Sequence, residues 1–269
     1  MNGDYGRTNH FRPRTLPVLT GAIIVLVAAG LVGIGSVALA TRDLNPNLEA
    51  LPAKDLRLET ASDGTTYLRF STTSWNSGEG PLELVAGEID RENGKQRVYQ
   101  RIYADDGSNW DVLAGSFEWH EAHSHFHFEG YALYTLQPVD ASGASQRSGS
   151  KMTFCVMDTD RINHRLPGAP KRAVYTICGK DIQGMSVGWG DTYKYYLAGQ
   201  EIDVTGLPAG EYDLTIEIDP KGHLVETNDA DNTSTVRIRL DVSQGTVEVL
   251  SAGSGPGNGN GGGGGRPIR

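Results

Sequence analysis

Histidines are the residues of this sequence with the clearest capacity for chemistry. Four of the seven lie within the eight residues 120–127, in the segment FEWHEAHSHFHFEGYALYTL. Three of them, His123, His125 and His127, alternate with other residues, and on a β-strand such alternate positions share one face. Strand positions two residues apart are about 7 Å apart, so a modest rotation lets their imidazoles converge on one metal ion. The other face carries two phenylalanines that suit a core, and the pattern therefore predicts a strand that presents a metal site.

The residue types narrow the choice of metal to two. A site made only of imidazoles suits copper or zinc, and copper binds more tightly in the Irving–Williams order. His120 is out of phase with the alternation, so its role stays open between a fourth ligand and a support for the ligands. A second pattern is present as well, because His123-x-His125 followed by Glu129 matches part of a cupin ligand set. Phe117 stands where that set has a glycine, so this second match is partial.

The segment WHEAHSHFHF resembles the copper-binding motif of the lysyl oxidase family, in which Trp-His is followed by His-x-His-x-His. The resemblance implies that His123, His125 and His127 bind copper, and His120 matches the histidine after the tryptophan. The resemblance to the family extends over about residues 46–240. We therefore expect a single-domain member of this family, of the prokaryotic type.

Lysyl oxidases make their organic cofactor, lysine tyrosylquinone, from one lysine and one tyrosine of their own chain. The lysine lies just before a Phe-Cys pair, and here the segment GSKMTFC supplies Lys151. The tyrosine closes an Asp-Thr-Tyr triplet downstream of a Gln-Gly pair, and here that position is Tyr193. Lys194 is the rival lysine for the cross-link, but neighbouring residues on a strand face opposite ways, which favours Lys151.

The resemblance implies an enzyme that uses dioxygen to convert primary amines to aldehydes, with release of ammonia and hydrogen peroxide. The amine stays open between a small molecule and a lysine side chain of a protein. Asp191, two residues before Tyr193, is our candidate for the base that removes the substrate proton. The alternative for Asp191 is a turn aspartate that caps backbone groups. His164 is a further candidate for lining the site, whereas three nearby aromatic residues fit core positions better: Trp189, Tyr195 and Tyr196.

Two other functions compete with the oxidase. A non-enzymatic module that binds copper or zinc outside the cytoplasm would use the histidines and need no quinone. An immunoglobulin-like structural sandwich would bind no metal at all.

An acidic segment, HLVETNDADNTS, resembles the calcium loop of the same family. The ligands that the resemblance implies are hard oxygen donors suited to calcium, and they are Glu226, Asn228, Asp231 and Asn232. The alternative is a hairpin turn rich in Asx residues, whose side chains cap local backbone groups. Both interpretations stay open at this point.

The elements that must position these residues are strands. Apolar and polar residues alternate in segments such as TTYLRFSTTSW and EYDLTIEIDP, and glycine-containing turns separate the segments. Many short strands with frequent turns predict an all-β fold, and we expect a β-sandwich of short antiparallel strands in one domain at 45–250. Its last part, 201–250, is predicted to form consecutive hairpins. The glycine-rich residues 251–269 are expected to form a flexible tail.

The N-terminal residues predict export. The basic residues 1–14 precede an uncharged stretch, 15–41, that is long enough to cross a bilayer as a helix with its N-terminus in the cytoplasm. The tripeptide Ala38-Leu39-Ala40 also fits a signal-peptide cleavage site, so a membrane anchor and a cleaved signal both stay open. In an oxidising compartment the two cysteines, Cys155 and Cys178, are expected to form one disulfide. The formal net charge of −9 argues against a nucleic acid partner.

Overall fold

A computed structural model describes residues 40–92, 94–121, 124–141, 143–149 and 152–253, with only the backbone at His120. No helix in these ranges is long and apolar enough to cross a membrane. The predicted segment 1–14 and almost all of the predicted anchor or signal at 15–41 lie outside the described residues. Most of the predicted tail at 251–269 lies outside them as well, although the last strand continues to Gly253.

The described chain consists of strands joined by turns, with one 3-10 helix, Asp229–Asp231. In chain order the strands are β1 (Asp43–Leu44), β2 (Leu48–Thr60), β3 (Thr66–Asn76), β4 (Leu82–Ile89), β5 (Gln96–Ala104), β6 (Asn109–His120), β7 (His125–Glu129), β8 (Ala132–Pro138), β9 (Arg147–Ser148), β10 (Thr153–Phe154), β11 (Asp160–Arg161), β12 (Ile182–Met185), β13 (Trp189–Tyr193), β14 (Glu201–Asp203), β15 (Gly210–Ile218), β16 (Thr233–Asp241) and β17 (Thr246–Gly253). All the pairings among them are antiparallel. The prediction of an all-β, antiparallel fold is confirmed.

The strands divide among three sheets. The first has the order β10-β7-β6-β5-β4-β12, with β1 beside β5, and the second has the order β11-β13-β3-β14, with β2 beside β3. The third has the order β17-β16-β15-β8-β9. Strands β15, β16 and β17 form the predicted consecutive hairpins, whereas β14 pairs with β3 of the second sheet. Strand β2 packs on β15 and β16, which joins the second sheet to the third.

A row of aromatic rings lies where the three sheets meet. Phe70 of β3 packs edge-on against Tyr134 of β8, with ring centroids 5.2 Å apart. Tyr134 packs against Phe154 of β10 at 5.9 Å, and Phe154 packs edge-on against Tyr193 of β13 at 4.9 Å. Each such pair contributes about 0.5–1.5 kcal/mol beyond the burial of its area. Tyr193 is therefore anchored to the core through its ring.

Candidate functional site

The histidine strand is shorter than its alternation predicts. Strand β7 begins at His125, not at His123, because Ser124 has a φ of 55°, in the left-handed region, and this ends the extended backbone. Strands β6 and β7 form a hairpin in which His120 is paired with His125. His123 and the side chain of His120 lie outside the described residues.

His125 and His127 converge on the same face of β7. Their Nε2 atoms are 2.8 Å apart, and their ring centroids are 4.8 Å apart. His127 is buried, while His125 is half-buried. The Nδ1 atom of His127 lies 3.1 Å from Oγ1 of Thr153 on the neighbouring strand β10, a contact that fixes the ring and leaves Nε2 directed at His125. Two imidazole nitrogens therefore meet at one point.

Tyr193 ends strand β13, with its hydroxyl held by the backbone of a cysteine. The backbone N–H of Cys155 donates to the Tyr193 hydroxyl oxygen at 2.9 Å, and the hydroxyl donates to the Cys155 carbonyl at 2.7 Å. Burial of the hydroxyl end raises the pKa of Tyr193 well above its usual value, and the charge of Asp191 raises it further. Cys155 forms the predicted disulfide with Cys178, so that prediction is confirmed.

One cavity of about 360 Å³ brings these groups together. We call it the histidine–tyrosine cavity. Its lining includes the two converging histidines, the aromatic and acidic residues of β13, and apolar residues from two loops: His125, His127, Met157, Cys178, Asp191, Tyr193, Leu197 and Ala198. These residues come from four separate stretches of the sequence. The fold therefore places two predicted metal ligands, the predicted quinone tyrosine and the predicted base around one space.

Asp191 and Lys194 lie on different sides of the end of β13. Asp191 is buried in the lining of the histidine–tyrosine cavity, where its Oδ2 accepts a hydrogen bond from the Met157 N–H at 3.4 Å. Lys194 instead lines a separate cavity of about 250 Å³. This geometry agrees with the expectation that Lys194 faces away from Tyr193.

Lys151 lies outside the described residues, but the chain on either side of it is described. The Gly149 N–H donates to the Tyr134 carbonyl at 2.9 Å, and the Met152 carbonyl accepts from the Tyr131 N–H at 3.1 Å. Two residues after Lys151, Thr153 pairs with β7 and contacts His127.

The other sequence candidates lie elsewhere. Glu129, the carboxylate of the partial cupin pattern, is ion-paired with Lys95 and accepts a hydrogen bond from Ser116. His164 is exposed and does not line the histidine–tyrosine cavity, so its predicted place there is wrong. The three aromatic residues assigned to the core differ from one another, because Trp189 is buried, Tyr195 is half-buried beneath a guanidinium, and Tyr196 is exposed.

The acidic loop is packed against the residues just before β2. Glu226 accepts hydrogen bonds from the Leu48 N–H at 2.6 Å and from the Asn232 side-chain amide at 2.8 Å. Burial raises the pKa of Glu226 to about 8. Asp231 accepts from the Asn47 side-chain amide at 3.0 Å. By contrast, the exposed Asn228 caps the 3-10 helix by accepting from the Ala230 N–H, as the Asx-turn alternative expects.

Four buried oxygen atoms, two in this loop and two in the chain just before β2, lack partners among the described residues. They are the Oδ1 atoms of Asn45, Asn47, Asp231 and Asn232. Buried acceptors are nearly always satisfied in native proteins, so these four oxygens are candidates for binding a cation. Asn45 and Asn47 were not identified from the sequence. The only local signal was an Asn-Pro-Asn triplet, which lies about 180 residues before the loop it contacts.

Within the described residues, no three His, Cys, Asp or Glu side chains form a metal-binding group. One of the four predicted histidines and the side chain of another fall outside that part of the chain.

Comparison of this sequence with known proteins identifies the family of the chain. The family model for lysyl oxidase matches residues 105–250, more than half of the chain. The chain is 31% identical over 182 residues to lysyl oxidase homolog 2B of Danio rerio, a match that covers 67% of this chain and 19% of the relative. It is 29% identical over 172 residues to lysyl oxidase homolog 4 of Mus musculus, covering 61% of this chain and 21% of the relative. The chain thus spans about a fifth of the length of these relatives. The match of the family model over the strands that build the histidine–tyrosine cavity shows that this chain belongs to the lysyl oxidase family.

Proposed function

We propose that this chain is a copper-dependent amine oxidase. It would convert one primary amine, one dioxygen and one water into one aldehyde, one ammonia and one hydrogen peroxide. The observation that supports the proposal best is the single cavity that joins His125 and His127 to Tyr193 and Asp191. A surface that only bound metal would not need a half-buried tyrosine and a buried carboxylate beside the histidines.

The histidines fit copper by their donor set. We assign His125 and His127 as ligands through Nε2, with His123 as the third. The contact of Thr153 with the other nitrogen of His127 is the kind of support that metal-bound histidines usually have. We assign His120, whose backbone pairs with that of His125 in the hairpin, as a fourth ligand or a support for the ligands. When bound, copper and the lysine tyrosylquinone formed from Lys151 and Tyr193 supply the electron acceptor that ordinary side chains lack.

Contacts of the described chain support Tyr193 and Lys151 as the two precursors of that quinone. The Cys155 backbone and the Phe154 ring fix Tyr193 at the wall of the cavity. Lys151 lies two residues before Thr153, whose side chain contacts His127. Lys194 lines the other cavity, which favours Lys151 as the lysine of the cross-link.

Asp191 is the group that we assign to proton transfer. A substrate amine reaches the cavity as an ammonium ion, and a buried carboxylate attracts it more strongly there than in water. Asp191 would orient the amine and then accept the proton that the carbon next to the nitrogen loses. Its backbone contact with Met157 holds the carboxylate at the wall of the cavity.

We also propose a calcium ion at the acidic loop. The ligands would be Glu226, Asp231 and Asn232, with Asn45 and Asn47 contributed from the chain before β2. The partnerless buried Oδ1 atoms of Asn45, Asn47, Asp231 and Asn232 support this site. Asn228 was assigned to the same site from the sequence, and its use as a helix cap does not favour that role.

We further propose an extracytoplasmic location, with the chain either anchored through residues 15–41 or released after them. The disulfide supports an oxidising compartment. The uncharged segment and its cleavage pattern support export.

Peroxide release from a panel of primary amines tests the oxidase. Copper-loaded protein should release hydrogen peroxide and ammonia in equal amounts, and Tyr193→Phe should release neither. Tyr196→Phe is the matched control, because Tyr196 is exposed and outside the cavity, and it should keep full activity. Peptide mapping should show one covalent link between the peptides of Lys151 and Tyr193. Copper binding without that link and without peroxide would instead identify a non-enzymatic metal-binding module.

A further inference from the structure

A second cavity of about 250 Å³ adjoins the histidine–tyrosine cavity and is lined by cations. We call it the cationic cavity, after Lys54, Arg161 and Lys194 in its lining. Thr192 lines both cavities. The antiparallel pair of β11 and β13 forms the wall between them, because consecutive residues at Thr159–Asp160 face one cavity each. A ligand in one cavity therefore lies next to a ligand in the other.

The three cations of this cavity have no ion pair with any carboxylate in the described ranges of the chain. The formal net charge of the chain is −9, and several of its other cations are paired. Arg101, for example, makes a two-pronged contact with Asp111, and Arg237 makes one with Asp213. What distinguishes Lys54, Arg161 and Lys194 is that they line the same cavity, where their charges together favour an anion.

Two carboxylates also line the cationic cavity, and both already accept hydrogen bonds. Asp55 accepts from the Ser71 hydroxyl at 2.7 Å, and Asp160 accepts from the Thr159 hydroxyl at 3.2 Å. Neither of them forms an ion pair with the cavity's cations. Three cations against two carboxylates leave one net positive charge in the lining.

The backbone is distorted where Lys54 and Asp55 enter the cavity. The register between β2 and β3 shifts on both sides of Lys54, between Leu51 and Lys54 and again between Lys54 and Arg57. Asp55 has a φ of 55°, a left-handed conformation that is unfavourable for a residue with a side chain. Strand irregularities of this kind redirect side chains and concentrate at binding sites. The distortion breaks the alternation of β2 at the two residues that line the cavity.

We propose that the cationic cavity binds a carboxylate of the amine substrate while the amine occupies the histidine–tyrosine cavity. This inference rests on the proposed oxidase function. The apolar residues Met157, Leu197 and Ala198 would contact the carbon chain between the two charged groups. The substrate class is then a primary amine that carries a carboxylate a few bonds away, such as a lysine side chain beside an acidic residue of a peptide.

Two blocked dipeptides of matched size test the inference in the copper-loaded enzyme. One places glutamate before the lysine and the other places glutamine there. The glutamate peptide should have a KM about two- to fivefold lower for each cation that it contacts, the range of partly exposed ion pairs. Lys54→Gln and Arg161→Gln should each remove part of this preference, measured as the ratio of the KM values of the two peptides.

Two control variants distinguish an effect of the cavity from an effect of the protein's overall charge. Arg161→Lys keeps the charge and should retain most of the preference. Lys221→Gln removes one positive charge at an exposed position outside the cavity lining and should retain all of it. Equal KM values for the two peptides in an active wild-type enzyme overturn the inference and leave the oxidase proposal intact.

A binding measurement that needs no activity distinguishes the two proposals. Titration of the metal-free protein with glutarate should shift the backbone amide NMR signals of Lys54 and Lys194. The double variant Lys54→Gln/Arg161→Gln should abolish these shifts. Glutarate binding without oxidation of any amine supports the carboxylate site and refutes the proposed function alone. An absence of glutarate-induced shifts in the wild-type protein overturns the carboxylate site.

Discussion

Removal of the disulfide should weaken both the fold and the site, because the bond closes the loop that builds one wall of the cavity. Cys155 and Cys178 are separated by 23 residues, and the segment between them includes Met157 and Thr159 of the cavity lining. The Cys178 sulfur also lies 3.8 Å from the Met157 sulfur. The perturbation is the double substitution Cys155→Ala/Cys178→Ala.

The magnitude follows from the size of the closed loop. A cross-link between residues 23 apart removes loop-closure entropy from the unfolded chain that corresponds to about 3 kcal/mol at 25 °C. A domain of this size has a free energy of unfolding of about 5–15 kcal/mol, so the loss is a large fraction of the total. The expected fall in Tm is about 6–12 °C.

The loss of activity should be separable from the loss of stability. The hydrogen bonds that hold the Tyr193 hydroxyl come from the Cys155 backbone N–H and carbonyl, which the substitution keeps. We therefore expect the double variant to fold and to bind copper at low temperature. Its rate of peroxide release should fall, because the wall at Met157 is no longer tied to Cys178.

Urea unfolding of four samples measures the effect: the wild type and the double variant, each with and without a thiol reductant. The reductant should lower the midpoint of the wild type to that of the double variant, and it should leave the double variant unchanged. A double variant whose free energy of unfolding equals that of the oxidised wild type would refute the reasoning. So would an oxidised wild type that responds to the reductant no more than the variant does.

Three further predictions concern the histidine–tyrosine cavity and the acidic loop. Thr153→Val removes the hydroxyl beside His127 Nδ1 and should weaken copper binding about 10–100-fold in a chelator competition, whereas Thr215→Val on the third sheet should not. Asp191→Asn should lower kcat about 100-fold or more with little change in copper content, and a kcat near that of the wild type would exclude Asp191 as the base. Calcium at a hundredfold excess over its Kd should stabilise the wild type by about 2.7 kcal/mol in thermal unfolding. Asp231→Ala should lose that effect, and the exposed neighbour control Asp229→Ala should keep it.

The sequence determined the class of the fold because strand periodicity is local. Alternation and glycine-containing turns were sufficient to predict antiparallel strands, including the hairpins of β15, β16 and β17. The disulfide could also be predicted, because the chain has only two cysteines. The family was identified from residue types at fixed spacing, and the family model agrees over residues 105–250.

The first residue of β7 could not be predicted, because the alternation of residue types does not reveal the backbone conformation of Ser124. Serine carries no strong signal for a left-handed φ, yet Ser124 adopts one and ends the extended segment before His125. His164 was assigned to the site because it lies between Lys151 and Tyr193 in the chain. Its exposed position shows that closeness along a chain does not predict closeness in a sheet protein.

Only the tertiary structure decided which distant residues share a space. The histidine–tyrosine cavity combines residues near positions 126, 157 and 193, and the cationic cavity combines residues of β2, β11 and the end of β13. Asn45 and Asn47 join the acidic loop across about 180 residues. The physical reason is that strand alternation fixes only the face on which a side chain lies. The packing of one sheet against another, through the apolar area that they bury together, fixes which faces meet.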